Sequence, residues 1–128
     1  MVLSPLDHIG FAVLDYRKML HFYDAALAPL NMRRLLEKET SCGYGVDRPF
    51  FWISMPKEGR SVSKGLHVAF SADSEGTVEA FYAAAIGAGA TDYGAPGGRE
   101  RYPTGRYVAF VLDPEGNNVE AIFRGDQI

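Results

Sequence analysis

Apolar and polar positions alternate along residues 6–13, with Ile9, Phe11 and Val13 on one side and His8, Gly10 and Ala12 on the other. A period of two marks a strand whose two faces meet different surroundings. The period then changes. Met19, Phe22, Tyr23, Ala26, Leu27 and Leu30 recur at the spacing of one helical face. Asp15 stands where an N-cap belongs, and Pro29 falls near the C-terminal end. The succession returns later in the chain. Residues 66–71 alternate, Val68 and Phe70 against His67, Ala69 and Ser71, and Val78, Phe81, Tyr82 and Ala85 form a second helical stripe. Ser74 is its expected cap, and Gly87 and Gly89 its expected stop. His8 aligns with His67 at an offset of 59, and the same offset carries Phe22-Tyr23 onto Phe81-Tyr82 without a gap. Two landmarks at one spacing mark an internal repeat.

Strands are expected after each helix, at 32–38, 42–46 and 50–55 in the first copy and near 91–94, 106–112 and 117–123 in the second. Asp113-Pro114-Glu115-Gly116-Asn117 is strong turn chemistry between the last two. Pro56 to Lys64 reads as a polar connection between the halves, and Ala95 to Glu100 as a loop long enough to border a pocket. The fold class is α+β, one domain over residues 1–128, with one module at about 5–56 and the other at about 64–124. Helices must cover the apolar face of each sheet, so the opposite face carries His8 and His67.

Composition narrows the function more than the fold. A formal charge of -3 with no basic stripe argues against nucleic acid. No apolar run approaches the roughly 18 residues of a membrane span, and residues 1–10 lack the pattern of a secretory signal. Cys42 is the single cysteine, which excludes an internal disulfide, and nothing beside it in sequence would activate the thiol. A cytoplasmic protein is the expectation from these features.

One buried-strand carboxylate stands out. Glu120 lies between apolar neighbours on the face opposite Val119 and Phe123, where it needs a partner or a cation. Two histidines and a carboxylate on sheet faces suit a divalent ion such as Zn, Mn, Fe(II), Ni or Co, with positions left open for water or substrate. Trp52 offers an aromatic wall, and Arg48, Arg99, Arg101 and Arg106 offer guanidinium groups to an anionic substrate. Tyr102 and Tyr107 flank Pro103-Thr104-Gly105 and are expected to close a pocket or donate a hydrogen bond, with Tyr44 a weaker third. His21 falls off its helix stripe and is expected in solvent.

The segments Leu6-Asp7-His8-Ile9-Gly10-Phe11-Ala12-Val13, Phe22-Tyr23-Asp24-Ala25-Ala26-Leu27, Gly65-Leu66-His67-Val68-Ala69-Phe70 and Asp113-Pro114-Glu115-Gly116-Asn117-Asn118-Val119-Glu120 resemble the vicinal-oxygen-chelate superfamily. That group includes glyoxalase I, bleomycin-resistance proteins, extradiol dioxygenases and fosfomycin-resistance enzymes. The resemblance implies two tandem βαβββ modules whose mixed sheets form a cup with the helices outside. It implies that His8, His67 and Glu120 hold metal-ligand positions on the first, fifth and eighth strands. It also implies a homodimer, in which His8 could join His67 and Glu120 across the subunit interface. The strand Pro49 to Met55 carries no acid where glyoxalase I has its fourth ligand, which argues against ordinary glyoxalase I chemistry. Two functions follow. One is a divalent-metal-dependent enzyme of the lyase, isomerase or dioxygenase type, acting on a small substrate with vicinal oxygens. The alternative is a metal-free protein that binds or sequesters a small molecule, like the bleomycin-resistance branch.

Overall fold

The computed structural model describes residues 4–99 and 105–125. Strand β1 (Ile9–Ala12) leads into helix α1 (Tyr16–Leu27), a 3-10 turn (Ala28–Leu30), and strands β2 (Arg33–Glu37), β3 (Ser41–Gly45) and β4 (Pro49–Ser54). The second copy repeats the order: β5 (His67–Ala72), α2 (Glu75–Gly87), β6 (Thr91–Gly97), β7 (Arg106–Leu112) and β8 (Asn118–Arg124). Each copy is one four-stranded mixed sheet, in the order β1-β4-β3-β2 and β5-β8-β7-β6. In both, the first strand lies parallel to the last and the others are antiparallel. The α+β class and the two tandem βαβββ modules are therefore as the sequence predicts.

Local chemistry explains the boundaries. The Asp15 carboxylate accepts from the Lys18 N–H at 3.2 Å, and the Ser74 hydroxyl from the Thr77 N–H at 3.0 Å, so both helices start at the expected caps. Pro29 sits in the 3-10 turn, which ends on Asn31 in the left-handed region at φ 62°. Two boundaries differ from expectation. Regular β1 begins only at Ile9, leaving His8 just ahead of it. Strand β6 runs on through Gly97, because two irregularities in its register let it follow β7 through a segment that reads as a loop.

The two modules share one core. Met19, Phe22, Tyr23 and Leu27 of α1 and Val78, Phe81 and Ala85 of α2 join Phe51, Ile53, Phe70, Val111 and Val119 from the sheets in a single buried cluster. Phe51 of one sheet meets Phe70 of the other edge to face at 5.1 Å, and α1 packs against α2. Both helix-bearing faces thus look onto one interior. The opposite faces, with His8 on one and His67 on the other, look away from it.

The turn before β8 fastens the modules. Asp113 Oδ1 accepts from the Glu115 and Asn117 N–H groups, and its Oδ2 from the Tyr23 hydroxyl at 2.7 Å. Glu115 accepts from the Leu14 and Asp15 N–H groups at 2.7 Å each, at the start of α1. Among the described residues no helix is long and apolar enough to cross a membrane.

Candidate functional site

The second sheet brings two of the three expected ligands together. Asn117, fully buried, accepts at Oδ1 from the Ser63 hydroxyl and from the Gly65 and Leu66 N–H groups, at 3.1, 2.9 and 3.0 Å. The Asn118 N–H donates to the Leu66 carbonyl at 2.8 Å. These bonds fix the start of β5 against β8, so that His67 pairs with Asn118 and Ala69 with Glu120. On the face away from the core, His67 Nε2 lies 3.0 Å from Glu120 Oε1. Glu120 is 3 % exposed, while the His67 side chain is 52 % exposed. Phe110 lies beside Glu120 across the β7–β8 ladder, and its ring centroid is 6.3 Å from that of His67. One step along the same face, Asn118 Oδ1 is buried with no hydrogen-bond partner among the described residues.

His8 lies on the first sheet instead. Its Nδ1 meets Asp7 Oδ1 at 2.7 Å. A carboxylate only accepts, so Nδ1 donates to it, and in the neutral ring this leaves Nε2 as the nitrogen with a lone pair for a ligand. The hydrogen bond with His8 and the nearby Arg48 guanidinium hold the Asp7 carboxyl below its usual range. Among the described residues no three His, Cys, Asp or Glu side chains gather in one chain. A single chain therefore joins His67 to Glu120 and leaves His8 apart.

Around His8 lies an open recess of about 520 Å³ lined by His8, Gly10, Lys38, Pro49 and Trp52. Gly43 makes the floor possible. A Cβ there would stand 2.7 Å from the Trp52 ring, so only glycine lets the indole lie across β3. Lys38 Nζ sits 5.3 Å from the Trp52 ring centroid. The second module has a counterpart. The Arg99 guanidinium lies 5.6 Å from the Phe110 ring centroid and donates to the Ala95, Gly97 and Gly98 carbonyls. A Cβ at Gly94 would stand 2.9 Å from both the Arg99 Nη2 atom and the Phe110 ring. A larger groove, about 910 Å³, lies elsewhere, between α1 and the end of β4, and includes the exposed His21.

Other expected residues are placed as follows. Tyr107, expected at the pocket, is turned to the helix side, where its hydroxyl donates to Glu79 of α2 at 2.7 Å. The reason is strand parity: Tyr107 shares a face with Ala109 and Val111, which are core residues. Tyr44 is fully buried, its hydroxyl donating to Asp24 and to the Leu20 carbonyl. Arg48 donates to the Asp7 carbonyl at 3.0 Å and pairs with its carboxylate, so its guanidinium serves the His8 turn. Arg106 opens β7 opposite Arg124. Tyr102 and Arg101 lie outside the described residues. Cys42 is buried, and burial pushes its thiol up to about 11. Sequence reasoning missed Lys38, Asp7 and Asn118. Lys38 was legible through parity, because Leu36 pairs with Gly43, which in turn pairs with Trp52.

The donor set suits a divalent cation. His67 Nε2 and Glu120 Oε1, 3.0 Å apart and hydrogen-bonded to each other, are the two donors one chain would offer such an ion. The buried Glu120 carboxylate and the Asn118 amide oxygen, which has no hydrogen-bond partner among the described residues, offer lone pairs that a cation would satisfy. Imidazole with carboxylate is a donor pair for zinc, manganese, iron, nickel or cobalt.

Comparison with known proteins agrees with this architecture. A family described as the Glyoxalase/Bleomycin resistance protein/Dioxygenase superfamily matches residues 5–121. No curated protein matches the chain. Among solved structures, a glyoxalase/bleomycin resistance protein from Albidiferax ferrireducens T118 is 30 % identical, with a TM-score of 0.82 over 94 % of this chain and 99 % of that one. A family enzyme from Burkholderia phytofirmans PsJN is 18 % identical, with a TM-score of 0.72 over 94 % and 99 %. A fosfomycin resistance protein from Mesorhizobium loti shares the fold at 16 % identity, with a TM-score of 0.65 over 95 % and 93 %. From its repeat to its match over residues 5–121, the chain belongs to the glyoxalase/bleomycin resistance protein/dioxygenase superfamily.

Proposed function

We propose that this protein is a divalent-metal-dependent enzyme whose two equivalent sites form between the chains of a homodimer. The observation that carries this reading is the contact between the buried Glu120 carboxylate and the exposed His67 imidazole, on a face turned away from the chain's own core. Each site would take His67 and Glu120 from one protomer and His8 from the other. A two-fold axis makes two such sites at once. Asp7 orients His8 with Nε2 outward, Asn117 holds β5 so that His67 stands beside Glu120, and Phe110 backs the imidazole. The ion would supply Lewis-acid stabilisation of negative charge on a substrate bearing two neighbouring oxygens. The reaction class is that of a lyase, isomerase or dioxygenase. The first module's last strand offers Trp52 and Ser54 to the cup face and no acid, which separates this site from ordinary glyoxalase I chemistry.

Metal content measured by elemental analysis after dialysis tests the reading. Wild type should retain close to one divalent ion per chain, and His8→Ala, His67→Ala and Glu120→Ala should each bind at least about a hundredfold more weakly. Mixing the His8→Ala and Glu120→Ala proteins under subunit exchange should restore one intact site per mixed dimer, or about a quarter of all sites. A ligand set drawn from one chain would restore none. Wild type that retains no more metal than the His67→Ala/Glu120→Ala double variant overturns the reading and leaves a metal-free binding protein.

A further inference from the structure

Each module carries an aromatic ring with a cation beside it on the face that bears the candidate ligands. In the first module Lys38 stands over Trp52, whose indole lies across Gly43 in the recess that also holds His8. In the second, Arg99 stands over Phe110, which flanks His67. Neither cation has a carboxylate partner among the described residues. Arg99 is held by three backbone carbonyls, which leaves two of its five N–H groups for a ligand. The Lys38 backbone N–H donates to the Ser41 carbonyl, but its ammonium makes no hydrogen bond among the described residues, so its three donors are available. A flat apolar wall next to an uncompensated ammonium is complementary to a planar, anionic molecule.

From this we infer that the site is selective for aryl carboxylates, with the ring held beside Trp52 in the recess and the carboxylate taken by Lys38. The inference rests on the proposed function for the cup being a small-molecule site, and it names the substrate class of that site. Lys38 is the specificity-determining residue.

Trp52 is the only tryptophan in the chain, so indole emission, excited at the red edge where the tyrosines do not absorb, reports on this wall. The test titrates 2-naphthoate and its neutral isostere 2-naphthamide into the full-length protein, with chelator present throughout. Saturable quenching is expected for both, with naphthoate about tenfold tighter, the value of one partly desolvated charge pair. Lys38→Met should bring naphthoate down to the affinity of the amide without changing the amide. Lys38→Arg should keep the preference. Lys38 is exposed, so these substitutions leave the core untouched. Equal affinity for acid and amide in wild type, a preference that survives Lys38→Met, or the absence of saturable quenching overturns the inference. Failure of the metal reading is told apart by the elemental analysis. A Lys38-dependent preference without metal uptake sinks only the metal reading. Metal uptake without that preference sinks only this inference.

Discussion

Replacing Asn117 by alanine tests the claim that one amide side chain sets the register bringing His67 to Glu120. The side chain is fully buried. It accepts three hydrogen bonds at Oδ1, and its Nδ2 donates to both oxygens of Asp113, at 3.0 and 3.3 Å. A neutral hydrogen bond contributes about 1 kcal/mol net, and one to a charged group about 1.5–3 kcal/mol. Gly65 is exposed and Ser63 half-buried, so water replaces part of what they lose. The Leu66 N–H and the Asp113 carboxylate are less easily rehydrated. The expected cost of Asn117→Ala is about 3 kcal/mol. For a domain of this size that is a fall of roughly 10 °C in Tm. Thermal and urea unfolding followed by circular dichroism measure it, with an unchanged urea slope showing that the unfolded state is the same. Ser63→Ala removes one of the accepted bonds and should cost under about 1 kcal/mol. The amide hydrogens of Gly65 and Leu66 should exchange faster in Asn117→Ala, while those in the middle of α1 keep their order of protection. A Tm within about 3 °C of wild type, or equal losses for Asn117→Ala and Ser63→Ala, would refute the reasoning.

Two further predictions concern groups outside the cup. Asp24 is raised by burial but held more strongly below the usual carboxylate range by hydrogen bonds from Arg34 and Tyr44. Its contribution is complete above its unfolded value of about 3.9 and is lost as pH falls through the lower folded value. Wild type should therefore lose urea stability below about pH 4, and Asp24→Asn should be weaker at pH 7 but show a shallower loss over that acid range; parallel curves would exclude the assignment. Cys42, with its thiol raised to about 11 and buried, should resist iodoacetamide in the native protein at pH 8 and react once the chain is unfolded in urea. Rapid native alkylation, read by mass spectrometry, would show that this part of the core opens.

The repeat was legible because its residues obey two clean periods. Met19, Phe22, Tyr23 and Leu27 line the core where the helical spacing puts them, and Asp15 and Ser74 each accept from a free N–H in the first turn of their own helix. His67 and Glu120 each fall on the polar parity of their own strands, but their contact depends on the parallel pairing of β5 with β8, which neither segment states by itself. Tyr107 was misplaced because it was read by its neighbours Pro103-Thr104-Gly105, when the alternation through Ala109 and Val111 put it on the helix side. The extent of β6 was hidden by Pro96 and two glycines, whose irregular register is a property of the pairing with β7 and not of the segment itself. The packing of α1 on α2 was not legible either. A stripe of apolar residues says that a helix face is covered, and it does not say by what.

That shared interior has a consequence for how the repeat exists at all. Phe51 and Phe70 are each other's cover, and Tyr23 of the first copy closes its hydroxyl on Asp113 of the second. A chain severed in the connection from 56 to 64 would leave each half with its greasiest surface wet and an acid without its phenol. Two separate modules would have to meet in solution to cover those faces, and carrying both in one chain makes that meeting intramolecular.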